Sequence, residues 1–169
     1  MCMKAISAVL ILLAANFGFA QVDEARQAME RGEYVRAVNI LTSEVAERPT
    51  PDAYIYLGLA YRHMKEYEKA AADRKKAIEV APGNPANDEE YFWLGVSLQR
   101  LNRQQEAAEA LTEAIRTARP GSARLGRYHL SRAYSREALH DRAGAVSDVH
   151  GAQRLGEKVD PAFLHAIGG

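Results

Sequence analysis

The chain has 169 residues, 47% of them hydrophobic and 26% charged, with 22 basic and 22 acidic side chains. That composition suits one ordinary domain with enough apolar surface for a core. It excludes disordered and collagen-like chains.

Residues 1–20 read as a secretory signal. Lys4 precedes an apolar run from Ala5 to Ala15, and Gly18-Phe19-Ala20 puts small residues at the two positions a signal peptidase reads. The run is too short to span a bilayer comfortably, so cleavage after Ala20 is expected rather than retention as an anchor. Cys2 precedes the apolar run, whereas a lipoprotein cysteine follows it, so no lipid anchor is expected. Cleavage removes the only cysteine and leaves 21 basic against 22 acidic side chains. An exported chain without disulfides is held by packing alone, which fits a bacterial periplasm or cell envelope.

Beyond Gln21 the organisation is repetitive. Gly32-Glu33-Tyr34, Ala37 and Pro49 anticipate Tyr67, Ala70 and Pro82, the shared positions lying 33 residues apart. Leu57-Gly58 with Tyr61 returns as Leu94-Gly95 with Leu98, and Ala70 and Ala77 return as Ala107 and Ala114, 37 residues on. Small residues seven apart lie on one side of a helix and let a neighbouring helix approach closely. Proline then ends the second helix, because its ring cannot continue one. The last copy is the loosest: Ala133 and Tyr134 stand where expected, but Ala143 and Ala145 compete for one slot. After Gly156, Asp160-Pro161 reads as an N-cap followed by a first-turn proline. Phe163, Leu164 and Ile167 of the short helix that follows can cover the open end of a stack.

These spacings resemble the tetratricopeptide repeat, a helix-turn-helix unit. The resemblance implies an all-α, right-handed superhelix of about four units, at 18–50, 51–87, 88–121 and 122–156, with 157–169 as a C-terminal cap. One departure is Arg74, which stands where Leu41 and Leu111 put an apolar side chain. A guanidinium there must reach solvent along its stem or pair with a carboxylate.

Catalytic constellations are not found. The sequence contains no G-x-S-x-G, Walker loop, dinucleotide fingerprint or H-E-x-x-H. His63, His129, His140, His150 and His165 read as ordinary surface or interface residues; His140 and His150 are ten apart, not the four that would join two metal ligands on one helix face. Asp88, Glu89 and Glu90 open a helix, where the unsatisfied amides and the dipole favour negative charge, so capping is their expected role. Neither enzyme activity nor a cofactor or metal is expected.

The resemblance also implies that the first helices of the units line an inner wall where partner segments lie. Away from the packing positions they offer Val22, Arg26 and Met29; Ile55, Leu59, Arg62 and His63; Phe92, Val96, Gln99 and Arg100; and Tyr128, Arg132 and Arg136. Arginine and aromatics anchor protein interfaces, so the expected partner is an extended peptide or helix with apolar and acidic residues. The competing reading is that Phe92 and Tyr128 fill space between units. Lysine and asparagine, which clamp a chaperone's C-terminal carboxylate in some relatives, are not at the matching positions, so that ligand is not expected. From Ala114 to Arg136 there are six arginines and no acid; without an aromatic stacking platform, and in an exported chain, nucleic acid is not the expected counterpart. A scaffold or adaptor of the envelope is the expected function. The alternatives are a self-assembling structural component and an accessory subunit of an enzyme or secretion complex.

Overall fold

A computed structural model describes residues 20–168; the expected secretory signal, apart from Ala20, lies outside the described residues. Every regular element among the described residues is a helix. In chain order they are α1 (20–30), α2 (Tyr34–Glu47), α3 (Pro51–His63), α4 (Tyr67–Val80), α5 (Asn87–Arg100), α6 (Gln104–Thr117), α7 (Leu125–Ala138), α8 (Arg142–Arg154) and α9 (Pro161–Ile167). From α2 onward each helix packs on the next, and Ala25 and Ala28 of α1 share an apolar cluster with Ala37 and Leu41 of α2, so successive antiparallel pairs stack into a solenoid.

Local chemistry sets the ends of these helices. Thr50 caps α3 by accepting from the Ala53 amide at 3.3 Å, with Pro51 in the first turn. Asp141 caps α8 through the Gly144 amide at 2.9 Å, and Asp160 caps α9 through the Ala162 amide at 2.9 Å. The turn inside each pair places one residue in the left-handed region at an equivalent position: Gly32, Lys65, Asn102 and His140, with φ of 77°, 63°, 59° and 62°. Glycine and asparagine tolerate that conformation, while lysine and histidine carry a steric cost there. Replacing Lys65 and His140 with glycine is therefore expected to stabilise the fold by about 0.5–1 kcal/mol each. Chemical denaturation checks this, and a loss of stability in both variants would contradict the turn geometry.

Packing inside a pair depends on small residues facing one another. A Cβ at Gly95 would come within 2.6 Å of Leu111 Cγ, and one at Gly58 within 3.3 Å of the Ala70 carbonyl. Ala70, Ala77, Ala107 and Ala114 are all buried on the opposing helices. On the second helix of the fourth pair the buried alanines are Ala145 and Ala152, whereas Ala143 is exposed, which settles the competition left by the sequence. Asn102 and His140 stand 38 residues apart, as do Ala107 and Ala145, Leu111 and Val149, and Ala114 and Ala152. At the C-terminal end α9 stands where the first helix of a further pair would. Its Ile167 is buried with Ala133, Ala145 and Val149, and Phe163 lies against Tyr134 with ring centroids 4.1 Å apart.

Candidate partner-binding wall

First helices line one side of the stack. Gln99 of α5 donates to the Ser131 carbonyl (2.7 Å) and to Ser135 Oγ (2.8 Å) of α7, and Phe92 stacks on Tyr128 at 5.0 Å. On the other flank of α5, the Arg62 guanidinium of α3 sits 4.1 Å above the Trp93 ring.

This packing separates the expected wall residues into two groups. Phe92 and Tyr128 are buried, the latter completely, so both fill the space between units instead of facing a partner. Tyr128 donates its hydroxyl proton to Asp88 Oδ2 at 3.0 Å; burial, followed by that bond, raises its pKa. Gln99 is spent on α7, and His63 stacks on Tyr34 at 4.7 Å. Arg26 is held by Glu30 and Asp23 on its own helix.

Arg132 and Arg136 also leave the wall. By the 38-residue register they occupy the slots of Leu94 and Leu98, which pack inside their own pair. There they converge on Asp148, which is 1% exposed: Arg132 Nε and Nη2 donate at 2.8 and 2.6 Å, and Arg136 Nη1 at 2.7 Å. His129 Nδ1 is 2.9 Å from the same carboxylate. Burial alone would raise the Asp148 pKa, but the hydrogen bonds from Arg132 and His129 and the arginine charges bring it below the usual range.

The acids that open α5 do more than cap a helix. Its N-cap, Ala86, makes no side-chain capping hydrogen bond, and each acid has a partner outside α5. Asp88 accepts from Tyr128, Glu89 pairs with Arg124 at 2.5 Å, and Glu90 pairs with the buried Arg74 of α4. Arg74 thus takes the second of the two options open to it. The arginine run 116–136 is divided in the same way, because Arg116 pairs with Glu113, Arg124 with Glu89, and Arg132 and Arg136 with Asp148. It does not form one basic patch.

Ile55, Leu59, Arg62, Val96 and Arg100 remain partly or fully exposed. Ile55 and Leu59 belong to none of the four apolar clusters, so their exposed surface is not completed from within the described chain. Two residues join them that the sequence reading missed, Trp93 and Arg127; the Arg127 guanidinium is 4.6 Å from the Phe92 ring and 5.9 Å from Trp93. Arg127 becomes visible once α7 is aligned on α5 at the 38-residue offset, where it matches Glu89. Trp93 had a weaker signal, as the only tryptophan in the chain, one position past an expected wall residue.

Residues 51–84 and 91–119 each match a tetratricopeptide repeat family model. Among solved structures the chain is similar to MamA MSR-1 (26% identity, TM-score 0.68, covering 80% of this chain and 74% of that one). It is also similar to MamA AMB-1 (25% identity, TM-score 0.71, 86% and 76% covered). A further MamA crystal structure, at 21% identity and TM-score 0.74, shares the fold over 86% of this chain and 82% of its own. No curated protein matches the chain.

Proposed function

We propose that this tetratricopeptide-repeat protein is a non-catalytic scaffold of the bacterial cell envelope that holds a segment of a partner protein along its first-helix wall. The repeats support a protein-interaction scaffold. The observation that carries the wall reading is the contrast within it. Phe92, Gln99, Tyr128, Arg132 and Arg136 are used up inside the fold, while Ile55, Leu59, Arg62, Val96 and Arg100 keep accessible surface on helices that run side by side. Apolar and arginine side chains interleaved on a rigid face are what a protein segment needs for anchoring. The leader-like residues 1–20 and the cysteine-free remainder support export to the periplasm.

Site-directed photo-crosslinking in cells tests both parts. A photoreactive side chain at Leu59 is expected to give a discrete adduct with one partner, whereas the same group at Lys76 on α4, an exposed second-helix position, is expected to give none. Equal labelling from the two positions overturns the wall. Recovery of the protein in the cytoplasmic fraction overturns the envelope assignment.

A further inference from the structure

Three wall arginines stand apart from the others in the first-helix set. Arg62, Arg100 and Arg127 have no carboxylate partner and make no side-chain hydrogen bond among the described residues, whereas Arg26, Arg124, Arg132 and Arg136 are all paired. Arg62 is only partly exposed, and its enclosed Nε finds no acceptor. Burial, and then the charge of nearby Arg74, work against the charged form of Arg62. Arg62 and Arg127 both place guanidinium groups near Trp93, at 4.1 and 5.9 Å from its ring. Arg100 lies seven residues beyond Trp93 on α5, about 10 Å along the helix. Like charges without counterions in a partly desolvated setting are costly, and an incoming anion that reaches the guanidinium groups relieves that cost.

We infer that the occupant of this wall is an acidic protein segment, whose carboxylates pair with Arg62, Arg127 and Arg100 and whose apolar side chains rest on Ile55, Leu59, Val96 and Trp93. The inference rests on the scaffold reading above and specifies the chemistry of its partner. Arginine forks match carboxylates in two-point geometry. The apolar residues between them favour a peptide over an inorganic polyanion, which would leave Ile55, Leu59 and Val96 uncovered.

Trp93, the sole tryptophan, provides the readout. The full chain is titrated with an acetylated nonapeptide alternating glutamate and leucine, with the matching glutamine and leucine peptide, and with polyphosphate. The glutamate peptide is expected to shift Trp93 emission and to bind about tenfold or more tightly than the glutamine peptide, because close charge pairs carry that much discrimination. Raising the salt should narrow the gap. Arg62→Gln with Arg127→Gln should abolish the preference, while Arg119→Gln with Arg154→Gln, which removes equal charge from exposed positions off the wall, should leave it; circular dichroism verifies folding of both. Equal binding of the two peptides overturns the charge requirement yet leaves the wall reading standing. Silence of Trp93 towards both peptides overturns the inference, and the Leu59 crosslink then decides the wall reading separately. Arginine-dependent preference for polyphosphate over the glutamate peptide also overturns it.

Discussion

Glu90→Ala is expected to lower stability by about 3–5 kcal/mol, because it leaves the Arg74 guanidinium buried without a counterion. Arg74 is 3% exposed and lies close over Gly58, where a Cβ would meet its Nε at 2.9 Å, so it cannot simply turn outward into water. Its carboxylate partner sits on α5, so the pair also joins the second and third units. Burial, countered by Arg74, raises the pKa of Glu90, which shows that desolvation opposes the pair even when it is intact. The slot equivalent to Arg74 holds Leu41, Leu111 and Val149 elsewhere in the chain. Arg74→Leu combined with Glu90→Met should therefore come within about 1 kcal/mol of the parent, or exceed it. Denaturant melts of the single and double variants check both statements. A single variant as stable as the parent would show that Arg74 escapes to solvent.

Asp148→Ala is expected to have an effect of the same order, about 3–5 kcal/mol, by leaving Arg132 and Arg136 to repel each other against a buried helix face. The slot of Asp148 matches Ala110, and those of Arg132 and Arg136 match Leu94 and Leu98, so the polar group replaces an apolar one found in the third unit. Converting all three residues to their third-unit counterparts, Arg132→Leu, Arg136→Leu and Asp148→Ala, should recover most of the loss. Acid provides an independent check. The Asp148 pKa is lower in the folded chain, so its stabilisation is fully present above the unfolded value near 4 and is lost as pH falls through the folded one. Below about pH 4 the parent should lose stability more steeply than the triple variant, and parallel acid limbs would contradict the role of Asp148.

The two clusters also show why part of the wall was misread. Arg132 and Arg136 look like surface residues in sequence, because arginine is seldom buried and the acids nearest them in the chain, Glu137 and Asp141, are not the group that buries them. Their partner Asp148 is 16 and 12 residues away on the next helix. Tyr128 and Phe92 look like interface anchors for the same reason: an aromatic serves equally well in a core and at an exposed contact. Choosing between those roles needs the neighbouring helix, which only the superposed units supply.

The sequence by itself determined the helical repeats, the close-approach alanines and glycines, the prolines that close the second helices and the anomaly of an arginine at position 74, with solvent or a carboxylate as its two outlets. All of these follow from local rules of helix sterics, spacing and capping that act over one or two turns. Tertiary structure alone decided the register of the fourth unit, the pairing of buried charges across helices and the identity of the arginines left without counterions. Those outcomes depend on which side chains meet after packing, and the balance between desolvation and pairing that fixes them exists only once the helices are in contact.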